Sequence, residues 1–348
     1  MRTVGVQNDP SLASPALGLV LLTLIWAITP VAAQPSYVLE DDTWRKKVEL
    51  DPKTPEGQLQ TMRRQIAQEQ AKSAQDLATE WIENYPNHPE LAEAYLLRGD
   101  AYVTRRLYFK ALFDYEYVLR VFPESPQFQT VLEREYDIAR LFAAGLKRRW
   151  LGIFRLSAVD EAEELFIRIQ ERSPGSELAE KASIDLGHLY FRKSDMSSAV
   201  VAYELFLENY PTSRFRQRAL LRLIQANLAT FKGPNFDATG LIEASHRLKM
   251  FEAEFPVALE RIGAQALRVR IQESLALKHF YQARWYERIS QPVSAQYVYS
   301  RVVENYPQTV AAQAALRRLM SLTNPVDRQA PSVVPKGPKS DPAAEDTK

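Results

Sequence analysis

Six times between residues 58 and 322 an alanine stands twelve residues before a proline: Ala74 and Pro86, Ala111 and Pro123, Ala162 and Pro174, Ala199 and Pro211, Ala244 and Pro256, Ala295 and Pro307. A small residue held at constant distance from a helix-terminating one dictates a repeated element of fixed length. Four residues after the alanine come Ala78, Tyr115, Phe166, Tyr203, Leu248 and Tyr299, and seven after it Trp81, Val118, Ile169, Phe206, Phe251 and Val302. Positions i, i+4 and i+7 share one face of an α-helix, so each unit reads as an amphipathic helix. The alanine admits a close neighbour, and the proline stops the helix because it cannot donate the i to i−4 hydrogen bond. The tetrapeptide Glu-Asn-Tyr-Pro, which ends at Pro86, Pro211 and Pro307, is therefore a helix end rather than a reaction centre.

Three units carry a second small residue twelve positions before the alanine, followed by tyrosine at i+3: Gly99 and Tyr102, Gly187 and Tyr190, Ala283 and Tyr286. This marks the first helix of a hairpin. Small residue, alanine and proline at equal steps are similar to the tetratricopeptide repeat, two antiparallel helices in about 34 residues. The spacings between the six prolines are 37, 51, 37, 45 and 51 residues, so the array is interrupted. Leu141–Ser157 reads as a lengthened first helix ending near Gly145 and then an apolar-basic connection. Lys232–Gly240, with its Gly and Pro, demands a loop. Leu259–Arg288 reads as one long helix, and no alternating strand pattern follows Gln34. The expected fold is all-α, an α-solenoid of about six tetratricopeptide-like hairpins over residues 58–322.

The flanks differ. Ala16–Ile28 is a 13-residue apolar run, too short to cross a bilayer core of about 30 Å. It is followed by Pro30 and the small residues Val31–Ala33, so residues 1–33 read as a signal peptide cleaved before Gln34, with an uncleaved anchor as the alternative. Residues 34–57 form an extended lead-in. Residues 323–348, with five prolines among charged and small residues, form a tail expected to be disordered.

Chemistry is sparse. There is no cysteine, which removes disulfides, thiolate nucleophiles and cysteine metal sites and suits an oxidising compartment. His88, His188, His246 and His279 are isolated, and no Gly-rich phosphate loop or paired-histidine spacing occurs. With 44 Lys plus Arg against 43 Asp plus Glu, nothing in the net charge points to nucleic acid. No enzyme, cofactor or metal site is expected. An array of hairpins instead offers a groove lined by the first helix of each repeat. Counting from the small residue, the groove-facing candidates are Glu93, Leu96, Asp100, Val103 and Thr104 in the second repeat. In the fourth they are Lys181, Ile184, His188, Phe191 and Arg192, and in the last Leu277, Phe280, Arg284, Glu287 and Arg288. Apolar residues among both signs of charge suit an extended peptide or a partner protein's loop.

Two stretches carry a more particular likeness. Ala199–Phe215, "AVVAYELFLENYPTSRF", and Leu96–Pro126, within a region from about Gln58 to Ser321, resemble the BamD family of outer-membrane assembly factors. The resemblance implies an array at the periplasmic face of the outer membrane that helps to fold and insert β-barrel proteins. It further implies that N-terminal repeats engage substrates and C-terminal repeats engage a barrel-forming partner. Such families are tethered through a lipidated cysteine, which cannot be carried over to a chain without one. Two other classes compete. A Tol-Pal-type coordinator of envelope division would bring an N-terminal coiled coil, for which Gln58–Lys72 is too brief, and a generic tetratricopeptide adaptor would bind proteins without that role. An accessory part of a cell-wall lytic enzyme would need a catalytic domain that the residues after Ser321 do not supply.

Overall fold

The computed structural model describes residues 37–40, 43–46, 50–150 and 154–323, with side chains over 50–146 and 158–323. The expected signal segment at 1–33 lies outside the described residues, as does the tail after Thr323. Two contact units result, 1–51 and 52–348. In the first, β1 (Tyr37–Glu40) and β2 (Thr43–Lys46) pair antiparallel with Tyr37 opposite Lys46.

The second unit holds fourteen α-helices among the described residues. Six pairs follow one another, each with a first helix (A) and a second (B): α1 (Pro55–Ala67) and α2 (Ala71–Asn84), α3 (Leu91–Thr104) and α4 (Tyr108–Val121), α5 (Phe128–Ala143) and α6 (Val159–Arg172). The series continues with α7 (Glu177–Arg192) and α8 (Met196–Asn209), α9 (Arg216–Thr230) and α10 (Thr239–Glu254), then, after the short α11 (Leu259–Ile262), α12 (Ala264–Arg288) and α13 (Pro292–Asn305). A last helix, α14 (Val310–Thr323), packs on α13 and α12. Apart from α11, which packs on α12 while α10 also meets α12, each helix packs on the one before and the one after, and the core is a chain of successive clusters rather than one body. The fold is an all-α solenoid, and stability in such a stack accumulates between neighbours.

The landmarks fall in equivalent places. All eighteen residues at the alanine, +4 and +7 positions are no more than 2% exposed. All six B helices stop one residue short of the proline, at Tyr85, Phe122, Ser173, Tyr210, Phe255 and Tyr306. These lie between φ −125 and −138° and ψ 49 and 63°, and each donates its backbone N–H to the +7 residue's carbonyl. The ring of a following proline excludes the α conformation from the residue before it, so the stop is steric and precedes the missing donor.

Size complementarity sets the spacing within each hairpin. A Cβ on Gly99 would lie 2.2 Å from the Tyr115 ring, and one on Gly187 would lie 2.6 Å from the Tyr203 ring. The ring therefore rests on bare backbone, and Ala283 with Tyr299 repeats the arrangement, both fully buried. The first repeat reverses it. Met62 occupies the small-residue position and Ala78 the ring position, both at 0% exposure in one cluster. One large and one small residue fill the same space in either order.

The A helices end differently. In α1, α3, α5, α7 and α12 the chain turns through a left-handed residue: Glu69, Arg106, Gly145, Ser194 and Ser290. After α5, Leu146 N donates to Leu141 O at 3.2 Å and Gly145 N to Phe142 O at 2.9 Å, a Schellman closure, and the other four show the same bond pair. Four of the five use a residue with a side chain, at φ 59 or 60°.

Three departures from the sequence reading have physical causes. The connection after Gly145 is a hairpin, β3 (Lys147–Trp150) with β4 (Phe154–Ser157), Lys147 opposite Ser157. Like β1 and β2, its strands are four residues long, too short for alternation to register, and only their aromatic and β-branched content hints at them. The long helix is broken: Gly263 at φ 65° separates α11 from α12. Gly240 lies inside α10 rather than in the loop, where a Cβ would lie 2.6 Å from the Asn227 carbonyl oxygen, so close packing of α10 on α9 requires it.

An ion-pair network ties α4, α5 and α6. Arg172 reaches Glu116 at 2.7 Å and Glu135 at 3.2 Å. Glu135 is only 1% exposed, and burial outweighs the attraction of Arg172, pushing its carboxyl up to about 7.

Three outcomes follow for stability. Gly99→Ala should cost about 1–3 kcal/mol in urea unfolding through overpacking. The double variant Gly99→Met with Tyr115→Ala, which copies Met62 and Ala78, should be more stable than Tyr115→Ala alone; no gain would remove the size-exchange account. Ser194→Gly should raise stability by up to about 1 kcal/mol by relieving the left-handed backbone, read as a higher Tm.

Candidate functional site

The A helices come together on one side of the stack. α1 packs on α3, α5 on α7 and α12 on α14. Between α5, α7 and the start of α9 lies a cleft of about 550 Å³. Lys181, Ile184 and His188 enter it from α7 at helical spacing, Tyr136 and Arg140 from α5, and Arg218 from α9. Of the sequence candidates, only this trio is gathered into one cleft.

His188 is held from below by its own repeat. Tyr203, whose ring rests on Gly187, places its hydroxyl 2.7 Å from His188 Nδ1. Burial, with Arg222, Arg218 and Arg192 adding repulsion against the opposing pull of Asp185, pushes the imidazole down to about 4. The neutral ring and the tyrosine hydroxyl thus share one hydrogen bond. Asp100 is held the same way: Tyr115 Oη donates to it at 2.6 Å, and Arg134 from α5 pairs with it at 2.9 Å. In the last repeat Tyr299 donates instead to Glu287 at 2.7 Å, which leaves Arg284 exposed.

The remaining candidates are spread out. Glu93 is buried and paired with Arg63 of α1, with its carboxyl raised first by burial. Leu96 and Ile184 are also buried, at 8% and 4% exposure. Lys181 pairs with Glu177 at 3.0 Å. Phe191 is half-buried under the Arg222 guanidinium, 4.8 Å from its ring centroid. Arg192 is exposed and donates to the Ala143 carbonyl at 3.2 Å. Phe280 is half-buried, its ring centroid 5.6 Å from that of Tyr299, while Leu277 and Arg288 are exposed.

Sequence spacing missed Tyr136, Asp185 and Arg218. Tyr136 donates to Asp185 at 2.8 Å across the cleft, and Arg140 lies 3.9 Å from the same carboxylate. Counting twelve back from Ala162 lands in the β3–β4 hairpin, and counting back from Ala244 lands in the loop before α10, so α5 and α9 had no register to read. The signal that could have found Tyr136 is its place two residues before Ile138, which lies seven before Gly145 as Gly187 lies seven before Ser194.

Charge divides the A helices into two groups. α1, α3, α5 and α7 carry seven basic and nine acidic residues, whereas α9, α12 and α14 carry ten basic and two acidic. In the first group the charges pair off, as in Arg98 with Asp114 at 2.7 Å or Arg134 with Asp100. In the second, Arg218, Arg270, Arg284, Arg288, Arg317 and Arg318 have no carboxylate partner among the described residues. Among the described residues no cluster of three or more His, Asp or Glu is placed to hold a metal, and no helix is long and apolar enough to cross a membrane.

Stacked helical hairpins with a residue-lined inner face define a tetratricopeptide-type protein-interaction scaffold. The chain belongs to the family described as YfiO, outer membrane lipoprotein, whose model matches residues 154–330. This is the BamD-like family to which the repeat motifs pointed. Comparison with curated proteins gives no match. Among solved structures, the C-terminal part of a TPR repeat-containing protein from Cytophaga hutchinsonii is 13% identical over 76% of this chain and 88% of its own, with a TM-score of 0.38. PilF of Pseudomonas aeruginosa is 11% identical over 76% of this chain and 97% of its own, with a TM-score of 0.31. These scores are low, and the fold rests on the chain's own geometry.

A pH dependence follows from His188. Its folded value near 4 lies below the usual 6.5, so between these pH values the unfolded chain binds more protons. Stability contributed by the neutral ring is present above about 6.5 and lost as pH falls towards 4. His188→Gln should therefore lose less stability than the wild type between pH 7 and 4.5 in urea unfolding; equal losses would mean that the ring is not held neutral.

Proposed function

We propose that this chain is a periplasmic scaffold at the outer membrane that holds polypeptides during assembly and insertion of β-barrel proteins. Its partners in this reading are a barrel-forming assembly protein and unfolded outer-membrane clients. The observation that carries the reading is the division of the inner face within a chain of the YfiO family. Over the A helices α1 to α7 most cations pair with carboxylates of the chain, leaving a mixed surface with the Tyr136, Ile184 and His188 cleft, suited to an extended peptide of varied sequence. Over α9 to α14 arginines without partners present a standing positive field, which favours a folded partner with an acidic surface and speeds its capture. The groove candidates Glu93, Leu96, Asp100, Lys181, Ile184, His188, Phe191 and Arg192 fall in the first region, and Leu277, Phe280, Arg284 and Arg288 in the second. Because the 348 residues include no cysteine, attachment to the membrane depends in this reading on partner proteins or on the N-terminal apolar segment rather than on a lipidated thiol.

Affinity purification from envelope membranes followed by mass spectrometry tests the proposal. A β-barrel assembly protein among the captured partners supports it, Tol-Pal components would favour a division coordinator, and neither would leave a general adaptor. Within the proposal, Arg284→Glu with Arg288→Glu should reduce capture of the barrel partner several-fold at low salt while far-ultraviolet circular dichroism is unchanged. Undiminished capture would take those two residues out of the interface.

A further inference from the structure

Away from the α5–α7–α9 cleft, the widened interval between α10 and α12 encloses another, of about 490 Å³, bordered by the segment that leads into α10. Four basic side chains converge on it: His246 and Lys249 from α10, and Lys278 and His279 from α12. No ion pair to a carboxylate forms at His246, Lys249 or His279 among the described residues, and Lys278 alone feels the charge of Asp237. Lys278 Nζ donates to the Phe236 carbonyl, and His279 Nδ1 lies 3.4 Å from Gln282 Oε1. The one carboxylate at the cleft is Asp237: its Oδ2 accepts from Thr239 N at 3.0 Å, and hydrogen bonding to Thr239, side chain first and backbone next, with a smaller pull from Lys278, holds it below its usual range. Two ammonium groups and two imidazoles round a concave space outnumber its single acid, and such a surplus of cationic and hydrogen-bond-donating groups raises the local concentration of anions.

We infer that this cleft binds the phosphate group of a small ester, either a soluble one or the headgroup of a phospholipid. The donors favour phosphate over carboxylate. They are single points carried on separate side chains, two ammonium groups and two imidazoles with the Ser245 hydroxyl beside them, and not the planar fork of an arginine that matches a carboxylate. Distributed point donors suit a tetrahedral anion with three or four oxygens. Beside them stands an apolar wall for the organic part of the ester. Tyr306 stacks on His279 with ring centroids 6.1 Å apart and planes 22° apart, and Ile242 on the α10 side is 58% exposed. The site depends on the interruption of the array, since a regular hairpin spacing would close it.

The test uses the full chain with two variants. His246→Gln with Lys249→Gln alters exposed side chains, and Arg317→Gln with Arg318→Gln removes equal or greater charge outside the cleft. Binding is measured to inorganic phosphate and glycerol 3-phosphate by calorimetry, and to phosphatidylglycerol and phosphatidylcholine vesicles by sedimentation. Loss of a charge-assisted contact should weaken binding about tenfold in the cleft variant and leave the arginine variant near wild type. Binding of the soluble anions identifies a soluble ester. Binding to phosphatidylglycerol vesicles alone identifies a headgroup. No binding of any probe, or equal loss in both variants, overturns the inference.

Discussion

The array depends on a match of side-chain size between the A and B helices of each hairpin, seen most plainly where a large side chain from the B helix rests on a near-bare stretch of the A helix. Where Tyr115 lies on Gly99 and Tyr203 on Gly187, the ring fills the space that a side chain on the A helix would occupy, and the two backbones approach closely. The same rings carry their hydroxyls past each glycine to the next residue of the A helix, where they bind Asp100 and His188. Packing and inner-surface chemistry are thus set by the same residue. A phenylalanine would serve the packing but would leave the acid or imidazole above it without its partner.

How much of this was legible in the sequence depended on whether the chain kept its step. The B helices were readable in all six units because alanine, ring and proline lie within twelve residues, and no insertion falls inside that span. The A helices were readable only where nothing intervened before the alanine. At α5 the β3–β4 hairpin, and at α9 the segment before α10, displaced the count, and with it the identities of Tyr136 and Arg218. Strands of four residues leave no periodic trace. Gly263 was passed over because a single glycine in a helical pattern reads as tolerated rather than as a break. The partners of Glu93 and His188 could not be read at all, since they arise from neighbouring helices and not from local spacing.

The charge division shows what net charge conceals. Positive and negative residues are balanced over the chain, yet the balance is achieved by separating them, with self-neutralised helices at one end of the stack and unneutralised arginines at the other. An exposed ion pair contributes little to stability, so leaving most arginines of α9, α12 and α14 without such pairs costs the fold little. The surface stays available for charge supplied by another molecule. That separation, more than any single groove residue, distinguishes the two ends of an otherwise repetitive scaffold.

The reversed pair in the first repeat, Met62 against Ala78, has a consequence for modularity. Although the hairpins look interchangeable in outline, their internal surfaces are keyed. A shuffled chain that joined α1 to α4 would set Met62 against Tyr115 with no room for both, and one that joined α3 to α2 would set Gly99 against Ala78 across an empty volume the size of a ring. The pairing of each A helix with its own B helix is therefore written into the hairpin cores, so duplication or exchange requires that both halves of a hairpin travel together.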